Sequence, residues 1–283
     1  IEMVQPNIIV AFGNLAMWAL TGRWGVLKWR GSLLTADLMY VDNKPTLGTA
    51  TELTKMYKPP KVIPTLHPKA ILGEWPQRAV VLSDLRRVKR HMTSRTYENR
   101  PAWKFQVRPM FAQVISTIHA LISAASNADL TSWWDRWLDF DIETRGGHID
   151  CIGFSWSRTE GICIPFMTRG NKEGYWNSDE EAQIIFSLYK LLTHPNVQVR
   201  WQNGLYDAQY VYRHWHFIPR GMQDTMISQH SVFAALPKGL SFLGSMYADW
   251  YIYWKDEGKI ASDIPEEQRW TYNLQDCVYT REV

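Results

Sequence analysis

Short β-branched apolar runs alternate along this chain with longer stretches whose apolar residues recur at helical spacing. Residues 7–12 (NIIVAF) predict a buried strand. Gly13-Asn14 reads as a turn, and residues 15–20 as a helix starting on it. A second apolar strand, 61–65 (KVIPT), runs into His67-Pro68. Residues 31–60, with Asn43-Lys44-Pro45 and Pro59-Pro60, read as loops and a hairpin. Residues 80–92 have helical spacing and a basic face. Strand, helix and strand in this order predict a parallel α/β sheet.

Beyond a polar stretch at 93–101, read as a linker, the pattern restarts. Residues 104–108 predict an edge strand and 109–123 a helix with Pro109 in its first turn. Residues 137–142, 149–156 and 161–166 predict three strands of a meander. A helix at 178–193 opens on Ser178-Asp179-Glu180-Glu181, a capping signature. A strand at 197–201 and helices at 205–214, 224–234, 240–248 and 266–283 complete the pattern, with no internal repeat.

Composition fits this reading. The 283 residues are 46% apolar and 21% charged, enough to bury real cores, which excludes a disordered or collagen-like chain. Length alone suggests about two domains. The first residue is Ile1 and the last helix runs to Val283, so the expectation is one region of a longer protein. Apolar runs are far shorter than a membrane span. Cys151, Cys163 and Cys277 form no close pair and no metal-ligand spacing, which predicts buried free thiols in a reducing, cytoplasmic setting. The fifteen tryptophans read mainly as core, Trp133, Trp134 and Trp137 among them.

Charge changes the picture more. Residues 1–110 hold 17 Lys and Arg against 7 Asp and Glu, a surplus of +10; residues 111–283 hold 14 against 21, a deficit of −7. A basic half suggests a polyanionic partner, and an acidic half can gather carboxylates around cations.

Three motifs carry the chemistry. In Asp139-Phe140-Asp141-Ile142-Glu143-Thr144, side chains two apart share a strand face, so Asp141 and Glu143 point the same way. Two acids at the end of an apolar strand are costly unless a cation compensates. In Trp201-Gln202-Asn203-Gly204-Leu205-Tyr206-Asp207 a strand ends, Gly204 turns the chain, and Asp207 enters the first turn of a helix. In Tyr272-Asn273-Leu274-Gln275-Asp276, positions four apart on a helix are neighbours, which pairs Tyr272 with Asp276. Each motif alone also describes ordinary surface; the three in this order and context are far more specific.

From about Lys104 onward these residues resemble the proofreading 3′–5′ exonuclease domain of family A DNA polymerases. This is the DEDD superfamily with tyrosine in its third motif. Asp224-Thr225-Met226 and residues 240–247 (LSFLGSMY) share that resemblance. It implies a ribonuclease H-like α/β fold, a mixed sheet with flanking helices. It further implies that Asp141, Glu143, Asp207 and Asp276 hold two divalent cations, Mg2+ or Mn2+, about 3.5–4 Å apart. The same resemblance implies that Tyr272 orients the attacking water, that Thr144 and Asn203 contact substrate, and that Gln202 fixes the turn. The substrate implied is a single-stranded DNA 3′ end, the product a nucleoside 5′-monophosphate, and the partner a polymerase domain following Val283. His148, His194, His214, His216, His230 and Lys238 are read as surface or satisfied core groups.

The first half carries Pro6 to Gly13 (PNIIVAFG), Lys28-Trp29-Arg30-Gly31 and 65–72 (TLHPKAIL), closed by 84–90. These resemble the carboxy-terminal half of the uracil-DNA glycosylase superfamily, its iron–sulfur family 4 above all. The resemblance places His67, Lys69 and Asn14 near DNA and an extrahelical base. The Gly-rich acid motif and the cluster cysteines of that family do not occur in this half. The expected organisation is therefore a partial glycosylase-like domain at 1–95, a linker and edge strand at 96–108, and the exonuclease at 109–283. The expected activity is metal-dependent 3′–5′ exonucleolysis in a phage-like family A polymerase. The alternatives are glycosylase repair activity, a non-catalytic DNA-binding scaffold, and an RNA-trimming exonuclease.

Overall fold

The computed structural model describes residues 1, 4–36, 59–96, 102–127, 133–169, 171, 174–256 and 265–283. The chain forms two compact units, Ile1–Arg100 with Ser241–Tyr253, and Pro101–Leu240 with Trp254–Val283. Most of the segment predicted as loops and hairpin, 37–58, lies outside the described residues, as does 97–101 of the predicted linker.

The first unit is built on a three-stranded sheet of order β1-β3-β2. Strands β1 (Ile8–Phe12) and β3 (Lys61–Thr65) run parallel, and β2 (Leu34–Thr35) pairs antiparallel to β3. Around them lie α1 (Gly13–Thr21), α2 (Val26–Trp29), α3 (Pro68–Gly73) and α4 (Gln77–His91). The two parallel strands are therefore recovered. The short helices α2 and α3 lack the length to show a period, and the sequence pattern misses them.

A buried ionic network holds this unit. Arg30 grips Asp84 through both of its ends, Thr65 Oγ1 donates to Asp84 Oδ2 at 2.6 Å, and all three residues are buried. Arg87, also buried, donates to Gly31 O at 2.6 Å and to Ser245 O at 2.8 Å, and it binds Ala248 O. Ser245 O lies in the last turn of helix α9 (Leu240–Tyr247) and Ala248 O just past it, where a helix runs out of intrahelical donors. Burial raises the Asp84 carboxyl above its ordinary range, against the pull of Arg30. Removing one member leaves an uncompensated buried charge. Asp84→Ala is expected to cost about 3–5 kcal/mol, read as a lowered urea midpoint; an unchanged midpoint would contradict the network's role.

The second unit carries a six-stranded mixed sheet of order β4-β7-β6-β5-β8-β9. Strands β5 (Trp137–Arg145), β6 (His148–Ser155) and β7 (Glu160–Pro165) form an antiparallel meander. β8 (Gln198–Trp201) pairs parallel to β5, and β9 (Gly221–Asp224) parallel to β8. Counted from β5, the order is 3-2-1-4-5, with strand 2 alone reversed: the ribonuclease H-like arrangement. β4 (Lys104–Gln106) adds to β7 at the edge, as predicted.

One sheet face turns Phe140, Ile142, Phe154 and Ile164 toward α5 (Phe111–Ser126) and α6 (Ser178–Leu192) in a single apolar core. Asn177, rather than Ser178, caps α6, accepting from Asp179 N and Glu180 N. The other face receives α10 (Glu266–Glu282), which packs on β5, β6 and β7. Helix α7 (Leu205–Trp215) follows β8, and α8 (Thr225–Val232) follows β9 with Asp224 as its cap. The three cysteines are free and buried, as expected. Trp134 is core, its indole donating to Trp137 O, but Trp133 is exposed and stacks on Trp134. Among the described residues no helix is long and apolar enough to cross a membrane.

Candidate active site

The site forms where β5 emerges from the core. Phe140 and Ile142 anchor one face, so Asp139, Asp141 and Glu143 take the other, beneath α10. Asp139 lies deepest and is not part of the acid cluster. Arg200 Nε donates to its Oδ1 at 2.5 Å and Arg281 Nη1 to its Oδ2 at 2.8 Å. A register shift between Glu143 and Thr144 breaks the β5–β6 pairing just past the acids. Such irregularities re-aim side chains.

Asp141, Glu143 and Asp276 converge, each offering a carboxylate oxygen within 4.8 Å of the others. Asp276 is delivered by α10 together with Asn273, whose Nδ2 donates to Asp141 Oδ2 at 2.8 Å and to Asp141 O at 3.1 Å. Gly153, opposite Asp141 in register, makes this approach possible. A methyl there would fall 2.0 Å from Asn273 Oδ1. Asp207 joins from α7, its Oδ1 accepting from Ile142 N at 2.9 Å.

Electrostatics mark the cluster as a place for positive charge. Burial, then Asp276 and Asp207, push the Asp141 carboxyl well above its ordinary range. Burial and Asp276 raise Glu143 to about 7, and burial raises Asp207 to about 7, against the Ile142 amide that favours its charge. Burial also raises Asp276. Hard divalent cations take carboxylate oxygens, and a convergent set of acids that ionises reluctantly fits such an ion.

The sign of the resulting pH effect is determined. An unfolded chain releases these protons near pH 4, whereas the folded, metal-free site keeps them toward pH 7, so stability falls as pH rises through that window. Thermal unfolding in EDTA is expected to show a lower midpoint at pH 8 than at pH 5.5. Glu143→Gln with Asp207→Asn should flatten that slope, and Mg2+ or Mn2+ should stabilise the wild type more at pH 8. An unaltered slope in the variant would contradict this origin.

Two residues absent from the sequence reading complete the site. Trp254 Nε1 donates to Asp276 Oδ1 at 2.7 Å, and Lys255 Nζ donates to Asp276 Oδ2 at 2.5 Å and to Tyr272 Oη at 3.0 Å. Burial opposes the charge of Lys255, but Asp276 and Tyr272 outweigh it and hold the ammonium above the usual lysine range. Burial, then Asp276, raise the Tyr272 hydroxyl, so it stays protonated. The one sequence signal for Lys255 is its place before Asp256-Glu257 in an aperiodic stretch, which carries no period to interpret.

The remaining predicted residues divide. Thr144 shares a 2.7 Å hydrogen bond with Tyr206 Oη, and its carbonyl accepts from Arg269 Nη2 at 2.9 Å. Asn203 is exposed and sits at φ 60°, a left-handed conformation that asparagine tolerates. Its backbone N–H and that of Gly204 donate to the two oxygens of Asp224. Gln202 accepts from Thr225 Oγ1 at 2.5 Å and donates to Lys238 O at 2.9 Å, the turn-fixing position expected of it. Gly204 has ordinary helical dihedrals. It is needed for space, because a methyl would lie 2.0 Å from the Trp201 ring.

Asn14, His67 and Lys69 belong to the first unit. His67 caps α3, its Nδ1 accepting from Lys69 N at 3.2 Å. Gly13 lies against it, with 3.5 Å from a Cβ built on the glycine to the His67 Cβ. The Asn14 amide oxygen accepts from Gly25 N and Val26 N and so organises the entry to α2.

Fold and site together define a mixed α/β domain with a carboxylate cluster at the end of its central strand. No family model and no curated relative matches the sequence. Among solved structures, the chain is similar to RNase D of Escherichia coli, an exoribonuclease involved in structured RNA processing. That match has 14% identity over 63% of this chain and 42% of that one, with a TM-score of 0.43. It is also similar to the catalytic core of RRP6 from Trypanosoma brucei (13%, 66% and 46%, TM-score 0.45). A third is Brucella melitensis NrnC with bound Mg2+ (14%, 53% and 71%, TM-score 0.35). The chain thus spans under half the length of the first two.

Proposed function

We propose that the second unit is a metal-dependent 3′–5′ exonuclease that shortens single-stranded DNA ends to nucleoside 5′-monophosphates. The observation that carries this reading is the convergence of Asp141, Glu143 and Asp276, with Asp207 one hydrogen bond away, beside a protonated Tyr272. The three sequence motifs supply those same residues. Two divalent ions, Mg2+ or Mn2+, fit the donor set; when bound they supply a water made nucleophilic at neutral pH and positive charge at the departing 3′ oxygen.

The chain's own groups do the rest. Asn273 holds the Asp141 carboxylate, Trp254 holds Asp276, and the Ile142 amide holds Asp207, so the acids stand in place before substrate arrives. Tyr272 presents its hydroxyl for the attacking water. Thr144, Tyr206 and Asn203 stand at the mouth for the terminal nucleotide. The setting we propose is the proofreading part of a phage-like family A polymerase, in the cytoplasm, with a polymerase domain as partner. The first unit, a remnant of a glycosylase-like domain, adds basic charge that holds DNA.

Single strands labelled at the 3′ or the 5′ end, as DNA and as RNA, test this with Mg2+ or Mn2+ and with EDTA. Stepwise loss from the 3′ end of DNA, stopped by EDTA, is expected. Preference for RNA would move the substrate to the RNA-trimming class, and binding without turnover would favour a scaffold. Release of uracil from a duplex would instead assign activity to His67 and its neighbours.

A further inference from the structure

The ammonium of Lys255 touches two residues of the proposed nuclease centre at once. It lies 3.0 Å from Tyr272 Oη and 2.5 Å from Asp276 Oδ2, and 5.0 Å from the centre of the Tyr272 ring. The backbone beside it is anchored: the Trp254 ring stacks on Tyr279 of α10 with centroids 3.9 Å apart, and its Nε1 takes the other oxygen of Asp276. Residues 254 and 255 thus form a clamp on α10, one turn of which presents both Tyr272 and Asp276.

An ammonium has only donors, and a phenol has one proton. The Tyr272 oxygen must therefore accept from Lys255, and its own O–H is turned to the Asp276 carboxylate, to which Tyr272 is also hydrogen-bonded. Without that bond the hydroxyl rotates and can turn its proton or its lone pair to the reacting centre. With it, the rotor is set. Orientation of this kind acts on turnover rather than on substrate affinity.

We propose that Lys255 is a positioning residue for hydrolysis, locking the Tyr272 hydroxyl and the Asp276 carboxylate into one hydrogen-bonded set beside the reacting centre. This rests on the nuclease reading of the site. The step it serves is unchanged: water adds to phosphorus, the P–O3′ bond breaks, and the 3′ oxygen leaves with a proton.

A double-mutant cycle with Tyr272→Phe tests it, on 5′-labelled single-stranded DNA with saturating Mg2+. Lys255→Met is expected to lower kcat about 10- to 100-fold, with KM changed less than about 3-fold. In the Tyr272→Phe background the same change should cost less than about 3-fold, because the hydroxyl it positions is gone. Lys255→Arg should recover part of the loss. The thermal shift on adding Mn2+ should survive in Lys255→Met, which also shows that the variant folds and retains its cation site. Equal losses in both backgrounds, a loss confined to KM, full activity in Lys255→Met, or disappearance of the Mn2+ shift would each overturn the proposal. A wild type inactive on DNA and RNA with either metal would instead overturn the nuclease reading itself.

Discussion

Replacing Asp141 and Glu143 together by alanine should lower turnover by on the order of 10^3–10^4-fold or more, since several kcal/mol of transition-state charge stabilisation depend on the cations those acids hold. The same substitution should make the metal-free protein more stable at pH 8. Both effects come from one cause. In the folded protein burial and neighbouring carboxylates hold Asp141 and Glu143 above their ordinary range, so their charge at pH 8 works against folding. Alanine removes that repulsion along with the ligands. The variant should also lose most of its Mn2+-induced thermal shift. Activity assays and thermal unfolding in EDTA, side by side, measure the two. Retained cleavage would remove these residues from the site, and a variant less stable than the wild type at pH 8 would contradict the electrostatic account.

Gly153→Ala should be nearly as damaging to turnover, although residue 153 carries no chemistry. A methyl there would meet Asn273 Oδ1 at 2.0 Å, Asn273 Cγ at 2.8 Å and Cys277 Sγ at 3.1 Å. All three atoms belong to α10, so the helix must move away from β6. Overpacking of this kind costs about 1–3 kcal/mol. The larger consequence is geometric: Asn273 releases Asp141, and Asp276 shifts away from the cluster. A displacement near 1 Å at a catalytic group can cost about 10^2-fold in rate. Gly239→Ala, where an added methyl meets nothing within 4 Å, is the control and should be silent in both assays. A Gly153→Ala protein with normal activity and stability would show that α10 seats with more freedom than its packing implies.

The fold of the second unit was largely legible because its strands are apolar runs bounded by turns and its helices are amphipathic. β9 was not. Its four residues, Gly221–Asp224, join the sheet through backbone pairing with β8 and contribute no alternation. Asp141, Glu143, Asp207, Tyr272 and Asp276 were legible as candidates because strand parity and helix spacing order them locally. Trp254 and Lys255 were not, since their contact with Asp276 spans about twenty residues and depends on how α10 docks. Asp139 shows the converse: it has the parity of the cluster acids, yet Arg200 and Arg281, both distant in sequence, neutralise it. Gly204 stands in the turn its motif predicts, and packing adds a second need, the clearance for an indole ring. Spacing reports which side chains share an element, and only packing reports which of them meet.

Arg30 and Arg87 fasten residues 244, 245 and 248 to the first unit, and the chain re-enters the second unit at Trp254. The polypeptide is therefore interlaced: it leaves the basic unit, builds most of the acidic one, returns, and leaves again just ahead of Lys255. A single cut near residue 100 frees neither piece intact, because it strands a helix whose carbonyl end was made for arginines on the far side of the cut. A shortened chain that keeps residues 241–253 folded must therefore keep Arg30 and Arg87 as well.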